Sequence, residues 1–256
     1  MIGNKITSVV HIHIPRTAGS SLQAHLTRVL RNAGVTFTSE HCFWGDYPPA
    51  PDRLFFVVLR DPIDRVLSLY NYIRATPEHS KHALCMSRPL WRVLLTNQDS
   101  QFANAHARHL IGRRAAGVVI GKQDIKAAAD VLRRPDVIWT TSDAIDSGLA
   151  ELSRRVGVAI PPMAEYRNRS IAEEASRFTR AVAKATNLWD CEFYRIAKLR
   201  GLRRRAGMLA SFPMRYTHWL SIWLTHFHPL RPRPAKKRGG LIRIVDGVVY
   251  SGDART

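Results

Sequence analysis

Acidic side chains are scarce in this chain of 256 residues, where 20 Asp and Glu stand against 39 Lys and Arg and leave a formal net charge of +19. Such an imbalance turns the question of partners toward anionic surfaces, polymers or substrates. Long apolar runs are missing as well. A stretch such as Phe55 to Leu59 falls far short of the roughly 20 residues that span a bilayer, and Met1 to Ser8 carries no signal-peptide pattern. The expectation is a cytoplasmic chain. Cysteine is sparse: Cys42, Cys85 and Cys191 are an odd number, far apart, with no CxxC pair, so they read as free thiols in a reducing compartment rather than as zinc or redox centres. No GxxxxGK[ST] and no GxGxxG occurs, which disfavours an ATPase and a dinucleotide enzyme. What the chain does have is apolar material, 45% of its residues against 23% charged, enough for a sizeable core and incompatible with disorder throughout.

The apolar material is distributed as strands interleaved with helices. Ser8 to Ile14 (SVVHIHI) is β-branched and apolar and ends at Pro15. It is followed by a Gly/Ser/Thr stretch and a helical stripe through Leu22, Leu26, Val29 and Leu30, the pattern of strand, tight turn and helix. Val35 to Thr38 reads as a weaker strand. Leu54 to Leu59 (LFFVVL) is nearly continuous in apolar residues, as in a strand buried on both faces of a parallel sheet. Asp61-Pro62-Ile63-Asp64 then starts a helix that should reach about Arg74, with Asp61 as cap and Pro62 at the first helical position. Further helices are expected at Asp99 to Leu110, Lys122 to Arg134, Asp143 to Val156 with Gly157 as the stop, and Ile171 to Thr186 opening on a Ser170/Glu173 capping box. Asp136 to Thr140 reads as a fourth strand. This alternation predicts an α/β fold built on a doubly wound parallel sheet.

Residues 200–256 differ, with twelve Lys and Arg against Asp246 and Asp253. We therefore expect a domain over residues 1–199 and a basic C-terminal extension over 200–256. In the extension, Pro213 to Pro229 forms an amphipathic helix with Tyr216, Leu220, Trp223, Leu224 and Phe227 on one stripe. Arg231 to Gly240 is a basic linker, and the segment centred on Asp246-Gly247 is a hairpin.

Two junctions carry the chemistry. Pro15-Arg16-Thr17-Ala18-Gly19-Ser20-Ser21 puts small residues, hydroxyls and one cation where a parallel strand hands over to a helix N-terminus. Unpaired N–H groups and the positive end of the helix dipole make such a junction an anion site, and Arg16 adds a permanently charged fork. The alternative is an ordinary turn whose hydroxyls cap the helix. In the second junction, Leu59 to Tyr70 (LRDPIDRVLSLY), Arg60 ends a buried strand, Ser68 lies about two turns into the next helix, and Arg65 falls between them. A phosphate held by Arg60 and Ser68 fits that spacing; surface pairing of Arg60 with Asp61 or Asp64 is the competing account.

Together these segments resemble the carbohydrate sulfotransferases typified by heparan sulfate 2-O-sulfotransferase and its bacterial relatives. HIHIPRTAGSSL is similar to that family's 5′-phosphosulfate loop, usually HIPKTAGTS, and VVLRDPIDRVLSLY to its 3′-phosphate motif, usually LRDPxxRxxSxY. Looser likenesses follow in order: SEHCFWG (Ser39 to Gly45) to the segment holding the catalytic histidine, NAHARHLIG (Asn104 to Gly112) to an N-x-x-x-R-x-L-x-G helix, and NLWDCEFYRIA (Asn187 to Ala197) to a terminal D-x-x-x-Y-x-x-A helix. The resemblance spans about residues 8–199 and implies a P-loop-like sheet and transfer of a sulfuryl group from 3′-phosphoadenosine 5′-phosphosulfate to a carbohydrate hydroxyl. It also implies that Arg16, Thr17, Ala18, Gly19, Ser20 and Ser21 hold the 5′-phosphosulfate, that Arg60 and Ser68 hold the 3′-phosphate, that His41 is the general base, and that no metal is needed. An imidazole, with an unperturbed pKa of about 6.5, suits that task; Glu40 beside it would orient it or replace it. The family usually has Lys where this chain has Arg16. A guanidinium stabilises charge bidentately but, with a pKa above about 12, is a very poor proton donor.

Other readings stand beside this one. A nucleotide-binding basic protein with impaired catalysis that associates with membrane or nucleic acid is the first, and another nucleotide-dependent transferase is the second. The spacing of Arg60 and Ser68 argues against a kinase. His11 and His13 share one strand face but lack an evident third ligand, so sheet positions are expected for them rather than a metal site. For residues 200–256, packing of the helix on the domain ranks first and peripheral membrane contact second; nucleic acid ranks below both.

Overall fold

The computed structural model describes residues 5–96, 101–115, 119–163 and 175–210, with strand residues 242–245 and 248–251. Four strands, β1 (Ser8–Ile12), β2 (Thr36–Glu40), β3 (Arg53–Leu59) and β4 (Val137–Thr141), form an all-parallel sheet in the order β2-β1-β3-β4. The alternation of side chains along a strand sends each central strand into two cores. On one face Val10, Ile12, Phe55, Val57 and Leu59 pack with residues of α5 (Ala105–Leu110), α6 (Lys122–Val131) and α9 (Leu188–Ala210). On the other, Val9, Leu54, Phe56 and Val58 pack with α1 (Gly19–Asn32) and α7 (Ile145–Val156). Burial on both faces is why LFFVVL carries no polar alternation. A third cluster joins α2 (Pro62–Arg74), α3 (His82–Ser87), α4 (Leu90–Thr96) and α8 (Arg177–Thr186).

The order β2-β1-β3-β4 contains the feature that matters most for function. The chain leaves β1 through α1 toward β2 on one side, then returns to place β3 on the other side of β1. Connections from β1 and β3 thus diverge above their carboxyl ends, and open α/β sheets bind ligands at such a crevice.

Several boundaries shift from those expected. Of the helix expected over Asp99 to Leu110, residues 101–104 are not helical and α5 starts at Ala105, with α3 and α4 preceding it, while Asp99 and Ser100 lie outside the described residues. The helix expected from Ile171 begins at Arg177, with Ser176 as the cap whose hydroxyl accepts from the Thr179 N–H; Ser170 and Glu173 lie outside the described residues. Gly157 does end α7, in the left-handed conformation (φ 74°) that glycine adopts without penalty. α9 runs through the boundary expected at 199/200, and the chain divides into compact units at Met1–Arg204 and Arg205–Thr256. In the second unit β5 (Ile242–Val245) and β6 (Val248–Ser251) pair antiparallel, Val245 opposite Val248. The amphipathic segment 213–229 and the linker 231–240 lie outside the described residues. No described helix is long and apolar enough to cross a membrane.

Candidate functional site

The loop between β1 and α1 is held in a costly conformation. Arg16 (φ 69°) and Ala18 (φ 73°) are both left-handed, which is uncommon outside glycine and tends to persist where the surroundings impose it, often at functional sites. The clamp is Thr17. It is fully buried and its hydroxyl donates to the Ile14 carbonyl at 2.9 Å, so its side chain closes the loop and does not line the cleft. Helix α1 then starts at Gly19 with Ala18 at the cap position, no side-chain capping bond and no acidic residue in the first turn. By contrast, Asp61 caps α2 as expected, accepting from the N–H groups of Ile63 and Asp64 at 3.0 and 3.1 Å. Neither side-chain cap nor carboxylate competes for the first-turn N–H groups of α1, and this favours an external anion there.

A cleft of about 660 Å³ opens at this point, lined by His13, Arg16, Ala18, Gly19, Ser20 and Ser21 from the first junction, and by Arg60 and Ser68 from the second. His41 lines it too, as do Tyr72, His79 and Asp143. The residues that the resemblance assigns to the donor and to the base therefore meet in one cavity, except Thr17, whose buried side chain does not line it. The volume falls within the range of small-molecule pockets.

The two junctions are tied to each other by direct bonds. Arg16 Nε donates to Ser68 Oγ at 3.0 Å, and Arg60 Nη1 donates to the Arg16 carbonyl at 3.1 Å. The Arg16 guanidinium lies 4.7 Å from the centre of the Tyr72 ring, a cation–π contact. Burial lowers the pKa of Arg16, and the neighbouring Arg60 lowers it further. Two cations at close quarters lower the cost of binding an anion between them. The surface pairing of Arg60 with Asp61 or Asp64 is not what is found: Asp61 is occupied as the α2 cap and Asp64 faces Arg180 at 3.7 Å. Arg65 does not line the cleft. It is fully buried, with Nη1 donating to the Gln101 carbonyl at 2.8 Å.

Arg60 is placed from behind by a buried network. Its backbone N–H donates to His106 Nε2 at 3.3 Å, and His106 Nδ1 bonds Asp190 Oδ2 at 2.8 Å. The carboxylate of Asp190 also accepts from the N–H groups of His106 and Ala107 at 2.8 and 2.9 Å, capping α5. In return Asn104 Oδ1 accepts from the Asp190 N–H at 3.1 Å, capping α9. Burial pushes the Asp190 carboxyl up, but His106, Arg65 and the Ala107 N–H outweigh it and hold the group below the usual carboxylate range. The sequence alone offers His106 no such partner.

His41 follows β2, and its Nδ1 lies 2.9 Å from the His13 carbonyl. A carbonyl only accepts, so Nδ1 carries the proton and the neutral ring keeps its lone pair on Nε2. Glu40 does not orient it; Glu40 Oε2 accepts from the Tyr47 hydroxyl at 3.2 Å. His13 does. Its ring also stacks on that of His41, with centroids 4.3 Å apart and planes 28° from parallel, and His11 continues the stack at 5.4 Å from His13. His11 is fully buried and bonds Ser39 Oγ through Nδ1 at 2.8 Å; burial first, then His13 and His41, push its pKa down to about 3. Tyr72, His79, Asp143 and the His13–His41 stack are site features that sequence reading missed.

The described residues include no group of three or more His, Cys, Asp or Glu side chains positioned to hold a metal. No protein-family model matches the chain, and no curated protein matches it significantly.

Proposed function

We propose that this protein is a P-loop-like sulfotransferase that moves a sulfuryl group from 3′-phosphoadenosine 5′-phosphosulfate to a carbohydrate hydroxyl. The observation that carries the proposal is the meeting, in one cleft at the β1/β3 crevice, of an imidazole whose Nδ1 bonds the His13 carbonyl and two arginines bonded across the pair of junctions. The resemblance of those junctions to the 5′-phosphosulfate and 3′-phosphate motifs supplies the substrate. In this reading Arg60 and Ser68 hold the 3′-phosphate while Arg16 and the start of α1 hold the 5′-phosphosulfate. Arg16 bridges the two, since its Nε engages Ser68.

The reaction asks two things of the chain. His41 Nε2 takes the proton of the acceptor hydroxyl as its oxygen bonds to sulfur and the bond from sulfur to the 5′-phosphate oxygen breaks. The guanidinium of Arg16 and the first-turn N–H groups of α1 stabilise the negative charge growing on that departing oxygen, and adenosine 3′,5′-bisphosphate is the second product. Positioning and charge stabilisation carry most of the rate in such transfers, by analogy with phosphoryl transfer.

The test is transfer of radiolabelled sulfuryl from the donor to a panel of neutral and acidic saccharides, with His41→Ala as control. The proposal predicts label in a carbohydrate product with the wild-type chain and little with the variant. Donor binding without transfer to any saccharide would favour the nucleotide-binding protein with impaired catalysis instead.

A further inference from the structure

His13 lines the cleft, and the proposed reaction leaves its ring without a task. It is 9% exposed. Its backbone is fully used: the N–H donates to the Glu40 carbonyl at 3.0 Å and the carbonyl accepts from His41. Its ring has no hydrogen-bond partner among the described residues, although it is wedged between His41 and the start of α1. The wedge is tight. A Cβ built on Gly19 would lie 1.9 Å from both Cδ2 and Nε2 of His13 and 2.4 Å from its Cε1, so the ring lies against the first residue of the helix with Nε2 next to it. A cleft-lining imidazole nitrogen with no protein partner is available to a ligand, and here it sits beside N–H groups that already favour an anion.

We propose that the His13 ring is a donor-binding group: its Nε2–H joins the first-turn N–H groups of α1 in holding the anionic sulfur or phosphorus group seated there. The ring stays neutral in this role, because burial, His41 and Arg16 together push its pKa down to about 4. A neutral ring donates through one nitrogen and brings no further cation beside Arg16 and Arg60. Nothing in this inference needs the 3′-phosphate. It rests on the proposed function only for the identity of the anion, whose chemistry inorganic sulfate or phosphate shares.

His13→Phe keeps a flat ring over Gly19 and against His41 but removes the N–H. Its melting temperature, compared with wild type, establishes that it folds; if it does not, His13→Gln, which restores a donor at about the Nε2 position, replaces it with near wild-type binding as the expected result. Titration with adenosine 3′,5′-bisphosphate is expected to show about 10- to 100-fold weaker binding to His13→Phe, the scale of one hydrogen bond to a charged group. In parallel, the isotope-labelled ring nitrogens of His13 are followed by NMR during titration with bisphosphate and, separately, with inorganic sulfate. The expected result is a neutral ring whose Nε2–H moves downfield and exchanges more slowly with either ligand. Movement of the Gly19 to Ser21 amides with an unchanged His13 ring and unchanged affinity in His13→Phe overturns the inference while leaving the proposed function in place. A response to sulfate without one to bisphosphate supports the His13 role and overturns the nucleotide. No amide response to either ligand overturns both.

Discussion

At the scale of single residues, Arg16 concentrates the most consequence in one side chain. Its Nε bonds Ser68, its guanidinium plane lies on Tyr72, and its carbonyl holds Arg60. A lysine at this position keeps the charge and the backbone bond but has no Nε donor and no plane to stack. Arg16→Lys is therefore expected to bind the donor about 10-fold more weakly, and Arg16→Ala up to about 100-fold, measured by titration. An Arg16→Lys protein with unchanged affinity and raised turnover would mean that the guanidinium only substitutes for the amine usual in the family it resembles. His41→Ala should divide the parameters differently, leaving donor Kd nearly intact while turnover falls by roughly 10²–10⁴-fold. If turnover fell less than about tenfold, the base would lie elsewhere. Gly19→Ala probes the packing itself. A methyl group there meets the His13 ring, so the variant should lose donor affinity and disturb His41 together, visible as coupled shifts of both ring signals.

Among the elements, the pairing of α5 with α9 explains why parts of the site were illegible in the sequence. The strands were readable because burial of β3 on both faces writes itself as LFFVVL, and the start of α2 because Asp61 and Pro62 are local signals. Helix α5 carries no local cap. Its N-terminal N–H groups are satisfied by Asp190, more than eighty residues away, and no pattern around Asn104 announces that partner. The same distance hid the role of His106, which links Asp190 to Arg60. His13 was hidden by a different cause: only the close approach of the strand end to Gly19 shows that its ring is wedged in place. If the Asp190 carboxylate organises this junction, Asp190→Ala should destabilise the fold by about 3–5 kcal/mol, since it strands two N–H groups and a histidine in the interior. Urea denaturation checks this, and a loss below about 1 kcal/mol would show the junction to be redundant.

For the molecule as a whole, buried histidines give the stability a pH signature. Burial pushes His11 down to about 3, with His13 and His41 adding to it, and pushes His109 down to about 3 against its bond to the Ala105 carbonyl; His13 falls to about 4. Their unfolded pKa is near 6.5, so between that value and the folded ones the unfolded chain binds more protons. Their contribution is present in full above about pH 6.5 and is lost as pH falls toward 4, by up to ~1.4 kcal/mol per pH unit for each histidine. Asp190, with its folded pKa lowered, acts in the same sense at lower pH, its contribution present above the unfolded value near 3.9 and lost as pH falls below it. Urea midpoints should therefore drop between pH 7 and pH 5, before carboxylates protonate. A flat profile over that range would mean that these rings are solvated.

The central claim is that the cleft holds a nucleoside phosphorylated at both the 3′ and 5′ positions, and thermal melting with matched nucleotides tests it most directly. At a hundredfold excess over Kd a ligand stabilises the fold by about 2.7 kcal/mol, which for a domain of this size is roughly 5–10 °C. Adenosine 3′,5′-bisphosphate should raise the melting temperature clearly more than ADP at equal concentration, and Arg60→Ala should abolish the difference while leaving a smaller shift from the α1 site. Equal shifts with the two nucleotides, or a preference for ADP that survives Arg60→Ala, would contradict the account.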